Sequence, residues 1–171
     1  MDSDYFPPLS LQIAAPGLLL TDAILSFLFV FFLLLLACAL AAGGRALFTL
    51  TSDELSEVRA EKTTADRFLH LLYDRPHQTR LSLAAVQSFL NFSIGVVGWH
   101  AVAMLWPGAL YTAAAITAVI LCGALLLCLF CGLMPRWMVR GGNLRVARAT
   151  AAVLKFSDFV CAPLSRRLAT L

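Results

Sequence analysis

The sequence predicts an all-α membrane protein, with three transmembrane helices and cytoplasmic amphipathic helices lying next to the membrane. Composition is the first observation. Of 171 residues 60% are hydrophobic and 13% charged, with a mean hydropathy of +0.83, whereas a soluble domain carries about 25% charged residues to hydrate its surface. A small globular protein, a disordered chain and a nucleic-acid module are excluded on the same ground. Second, three apolar stretches free of Asp, Glu, Lys and Arg, at about 23–44, 81–106 and 109–134, each reach the length of about 20 residues that a bilayer requires. Third, the 13 Lys and Arg residues fall in only two places, between the first and second stretches and after the third.

That distribution sets the orientation. Residues 1–22 contain no Lys or Arg, and neither does the Trp106-Pro107-Gly108 turn that joins the second and third spans. The positive-inside rule places the Arg45–Arg80 loop and the C-terminal segment in the cytoplasm and the N-terminus outside. A cleaved signal peptide is not expected, because no basic residue precedes an apolar run that is too long for its core. The chain divides into an extracytoplasmic segment 1–22, a transmembrane module 23–140 with amphipathic helices at about 52–75, and a juxtamembrane amphipathic helix within 141–171.

The cytoplasmic loop has structure of its own. Thr51 and Glu54 read as a capping box, and Leu55, Val58, Ala65, Phe68, Leu69 and Leu72 then recur at helical spacing. Thr63-Thr64 offers a break into two short helices, and Pro76 ends the pattern. Gly43-Gly44 and Gly141-Gly142 are read as helix ends. After Gly142, Val146, Ala149, Val153, Phe156, Val160 and Leu164 form an apolar stripe, while Arg145, Arg148 and Lys155 line another face. Such a helix suits the headgroup layer, so these three residues are candidate contacts to anionic lipid. Membrane lipid is an expected partner and nucleic acid is not.

Polar residues within spans are where function is sought in membrane proteins. Ala84, Gln87, Ser88, Asn91, Gly95 and Gly98 fall on one stripe of the second span, and Gln87 and Asn91, one turn apart, can aim amide oxygens at one point. Two readings stay open: a cation or polar-substrate site, and a helix-packing face of small residues and amides. Cys38, Cys122, Cys128, Cys131 and Cys161 lie in spans or on the cytoplasmic side, where thiols stay reduced. Cys128 and Cys131 are read as small packing residues rather than a soft-metal pair. His100 is read as interfacial, and His70 and His77 have no partner pattern. Acidic residues are absent from all three spans, although hard-cation sites and proton-coupled carriers need them. With no nucleophile–base pair and no phosphate loop either, the chain is not expected to be an enzyme, and no cofactor is expected.

Several segments, in order, resemble the transmembrane module of the CNNM/CorC cation-efflux family. Ala46-Leu47-Phe48-Thr49-Leu50 is similar to its A-L-F-S-L, and Leu69-His70-Leu71-Leu72-Tyr73-Asp74-Arg75-Pro76 to its L-x-L-L-E-x-P. Gln87-Ser88-Phe89-Leu90-Asn91 stands where the family has N-N-x-V-N, and Cys131-Gly132-Leu133-Met134-Pro135-Arg136 where it has G-E-x-x-P-K. The Thr51-Ser52-Asp53-Glu54-Leu55 wording resembles the gliding-motility GldE branch. The resemblance implies a bacterial inner-membrane location and a homodimer, with a mid-membrane Mg²⁺ held by Ser, Asn, a backbone carbonyl and Glu. Here the Ser positions read Ala37 and Ala41, the two acidic positions Gly44 and Gly132, and the Asn pair Gln87-Ser88. Asn91 alone is kept.

A metal site is therefore not expected. The CBS-pair and CorC-type domains that accompany the module in the family have no counterpart within these residues, which leaves open a longer native chain or a degenerate relative. The expected function is a non-transporting scaffold or assembly subunit of the inner membrane. Its partners would be a second copy or other envelope proteins, in gliding motility or type IX secretion. The alternative is a Mg²⁺ transporter working through Gln87, Ser88, Asn91 and backbone carbonyls. In either case Gln87, Ser88, Asn91, Gly95 and Gly98 are the candidate packing or vestigial ion-site residues.

Overall fold

The computed structural model describes residues 16–60, 63–105 and 113–168, with side chains described for 21–60, 63–105 and 114–160. The Trp106 turn, most of the N-terminal segment and the side chains of Cys161 and Leu164 lie outside them. The described residues form helices only: α1 (Pro16–Phe48), α2 (Ser52–Arg59), α3 (Thr64–Tyr73), α4 (Pro76–Leu105), α5 (Ala113–Leu127), a π-helical segment (Cys128–Leu133), α6 (Met134–Arg140) and α7 (Asn143–Leu168). Three stretches are long and apolar enough to cross a membrane, namely Thr21–Phe48, Pro76–Leu105 and Ala114–Arg140. The fold is an all-α membrane protein.

Local chemistry sets the element boundaries. Thr51 caps α2 in a reciprocal box, its backbone N–H donating to Glu54 Oε2 at 2.9 Å while its hydroxyl accepts from the Glu54 N–H. Thr63 repeats the device with Asp66 at the start of α3, so the loop does split into two helices at the threonine pair. Pro76 both ends that pattern and opens α4, where a missing N–H costs nothing. Gly142 has a φ of +126°, a conformation side chains rarely adopt, and this turns the chain from α6 into α7.

Helix α1 is the centre of the molecule, packed against α4, α6 and α7. Leu34, Ala37, Leu40 and Leu47 of α1 meet Leu90 and Ile94 of α4 and Ala147, Ala151 and Leu154 of α7 in one core. Gly43-Gly44 does not end a helix as expected; both glycines lie inside α1. A Cβ on Gly43 would stand 2.9 Å from Thr150 Cβ and 3.3 Å from a Leu154 methyl, so the glycine allows α1 and α7 to approach closely.

The buried face of α7 is not the expected one. Ala147, Thr150, Ala151, Leu154 and Ser157 are buried, whereas Phe156 and Val160 of the predicted stripe are 62% and 49% exposed. Small residues admit a neighbouring backbone and bulky ones do not, so the helix docks by size rather than by hydrophobicity. The third span behaves differently from the other two: its most apolar window has no buried residue. Among the described residues it joins the core through its second half, where Leu127, Phe130, Cys131 and Val139 pack against it, with Phe130 edge-on to Phe31 at 6.5 Å.

Candidate functional site

The π segment follows from Pro135. Without an N–H, Pro135 cannot bond the carbonyl of Cys131 four residues back, and its ring crowds that carbonyl. The ladder widens instead, and the Met134 N–H reaches Leu129 O, five residues back. Widening turns the Gly132 carbonyl towards α1, where Arg45 Nη1 donates to it at 2.8 Å.

A groove of about 540 Å³ opens beside this contact, between α1, α4 and the π segment. Ala41, Gly44, Arg45, Arg80, Gln87 and Cys131 are among its lining residues. Four residues that sequence reasoning singled out separately thus come together: Ala41, Gly44 and Gln87 line the groove, and Gly132 sits behind the Arg45 guanidinium. Ala37 is fully buried one turn further along α1. A Cβ on Gly44 would meet a Leu83 methyl at 3.2 Å.

Gln87 and Asn91 meet, but not as two oxygens aimed at one point. Gln87 Nε2 donates to Asn91 Oδ1 at 3.2 Å and lies 3.3 Å from Cys131 Sγ, and the Cys131 thiol in turn donates to Asn91 Oδ1 at 3.9 Å. The Asn91 oxygen is thereby spent on two internal donors. Ser88 and Gly95 are exposed and Gly98 is half-buried, and a Cβ on either glycine would meet nothing within 4 Å. The small stripe of α4 therefore faces away from the molecule's own core. Cys128 is exposed and Cys131 half-buried, and no group of three His, Cys, Asp or Glu side chains converges among the described residues.

Arg148 requires a correction. Rather than facing headgroups, its guanidinium donates to Asp66 Oδ1 at 2.7 Å and Oδ2 at 3.2 Å, and to Glu57 Oε1 at 3.0 Å. Asp66 is fully buried, and burial alone would raise its pKa. The hydrogen bonds from Arg148 and Thr63 outweigh that and hold the carboxyl below its usual value, while the same pairing raises Arg148. Arg145 and Lys155 are exposed. A second tie runs from Asn143 Nδ2 to Thr49 O at 2.7 Å. Glu54 lies below its usual pKa, chiefly because it accepts the Thr51 N–H.

The cyclin M transmembrane N-terminal domain profile covers residues 28–171. The chain belongs to the CNNM family. No curated protein and no solved structure matches it. Two groove residues of this CNNM chain were not among the candidate site residues read from the sequence. Arg45 and Arg80 supply the charge there, and among the described residues no carboxylate pairs with either. Arg80 instead stacks its guanidinium 4.7 Å over the Phe48 ring. Their position at the ends of two spans, close to Gly44 and Gln87, was the available signal.

Proposed function

We propose that this chain is a non-transporting CNNM/CorC relative, an inner-membrane scaffold or assembly subunit with its N-terminus outside and its C-terminus cytoplasmic. The observation that carries the reading is the Arg45–Gly132 contact at the groove. At positions where the resemblance places acidic ligands this chain has Gly44 and Gly132, and the nearest charge is a guanidinium. A divalent cation entering such a groove meets repulsion with no anionic ligand to offset its dehydration. The stripe of exposed Ser88 and Gly95 and half-buried Gly98 supports the second half of the reading, since small residues with open space beside them suit a neighbouring helix. That neighbour is a second copy or a different envelope protein, and the Thr51–Leu55 resemblance supports a gliding-motility or type IX secretion setting. No catalytic role is proposed.

The test is purification of the native protein in mild detergent. Stoichiometric co-purifying membrane or envelope proteins, lost when Gly95 and Gly98 are changed to Leu, are expected. A chain that purifies alone as a monomer contradicts the scaffold role.

Family membership favours the second reading, Mg²⁺ transport through Gln87, Ser88 and Asn91. It requires Asn91 to leave its internal donors, so ion-dependent stabilisation that disappears in Asn91→Ala would establish it.

A further inference from the structure

We propose that the groove between α1, α4 and the π segment binds a phosphate-bearing anion, held between the guanidinium groups of Arg45 and Arg80. Both side chains line this one groove, and no carboxylate is among its lining residues. Two cations sharing a groove without a counter-charge repel one another, and a bound anion removes that repulsion. Each guanidinium is also held in place. Arg45 spends one N–H on the Gly132 carbonyl and Arg80 rests on the face of Phe48, so several of the five donors each carries remain for a ligand. The planar fork of donors suits phosphate oxygens, which it can engage in pairs.

Depth and shape fit the same ligand. Arg45 lies three residues before the end of α1 and Arg80 within the first turns of α4, so both sit at the same end of the two spans. The basic residues of the sequence place that end at the cytoplasmic headgroup level. At about 540 Å³ the groove is of a size that holds a small ligand, and Leu40 and Leu83 give it an apolar wall. Phosphate is the shared chemistry of two sources, an anionic lipid headgroup and a soluble phosphate. Basic pockets beside membrane helices on the cytoplasmic side recognise such headgroups. The charge of the groove suits an anion whether or not the subunit docks partners.

The full chain in mild detergent is titrated with phosphatidylglycerol, with phosphatidylcholine and, separately, with inorganic phosphate against chloride at equal ionic strength. Bound ligand is counted by native mass spectrometry and thermal stability is followed in parallel. Phosphatidylglycerol is expected to bind and to raise the melting temperature where phosphatidylcholine does not. Its affinity should fall about fivefold in Arg45→Gln and again in Arg80→Gln, and should be unchanged in Arg59→Gln, a change at an exposed arginine outside the groove. Arg80 is exposed, so Arg80→Gln keeps the fold even where Arg45→Gln loosens it. Phosphate reproducing the effect identifies a soluble source, and phosphatidylglycerol acting alone identifies a headgroup. Stability that responds to neither, or phosphatidylglycerol affinity unchanged in both variants, overturns the proposal.

Discussion

Arg45 Nη1 donates to the carbonyl oxygen of Gly132 at 2.8 Å, joining the first span to the π segment of the third across 87 positions of sequence. The contact links three local facts into one: the absent N–H of Pro135, the widened helix and a cation where the family resemblance implies acidic ligands.

Removing that cation should loosen the third span. Charge-assisted hydrogen bonds contribute roughly 1.5–3 kcal/mol, and the partial exposure of Arg45 favours the lower figure. Arg45→Met is expected to lower the melting temperature in detergent and to speed amide exchange at Gly132 and its neighbours. Arg45→Lys, which keeps the charge on a shorter-reaching ammonium without the planar fork, should fall between. An unchanged exchange pattern in Arg45→Met would show that the carbonyl does not depend on its donor.

Arg148 fastens α7 to α2 and α3 through Glu57 and the buried Asp66. Arg148→Met leaves Asp66 buried with only Thr63 as a partner, and breaking a buried pair from one side costs about 3 kcal/mol or more. Thermal unfolding of Arg148→Met should show that loss, and Asp66→Asn combined with Arg148→Met should recover part of it. Equal melting temperatures for the native chain and Arg148→Met would contradict the clamp.

The same pair sets an acid limit. Asp66 has a folded pKa below its ordinary 3.8. Its contribution to stability is therefore complete above pH 3.8 and is lost as pH falls below that value through the folded pKa. Melting temperatures measured from pH 6 down to about pH 3 should decline more steeply in the native chain than in the Asp66→Asn, Arg148→Met double variant. Parallel curves would mean that the pair does not couple folding to protons.

Gly43 and Thr150 define how closely α1 and α7 pack. Gly43→Ala places a methyl 2.9 Å from Thr150 Cβ, which forces the helices apart at an overpacking cost of about 1–3 kcal/mol. Thr150→Gly in the same chain should restore much of the stability. Failure of that rescue would place the strain elsewhere.

These contacts mark where sequence reading succeeds and where it stops. The membrane class, three apolar stretches, the Thr51 box and the break at Thr63 are local signals, carried by composition or by residues three apart. What could not be read depends on which helix faces which. Hydropathy ranks Phe156 and Val160 above Ala147 and Thr150, yet in a membrane-associated bundle the small side is the one that docks. On α4 the packing runs the other way: Leu90 and Ile94 dock against α1, and among the described residues nothing lies within 4 Å of a Cβ on Gly95 or Gly98. Arg148 read as one basic residue among several because its partner Asp66 is 82 positions away. Arg45 was visible as an end-of-span charge, but its role needed the π segment to bring Gly132 alongside.

Proteoliposomes loaded with a Mg²⁺-sensitive dye report whether this CNNM-family frame carries Mg²⁺. A flux equal to that of empty vesicles and a melting temperature that does not respond to Mg²⁺ are expected of a non-transporting scaffold. Flux above background that is abolished by Asn91→Ala would contradict it and restore transport as the function of the groove.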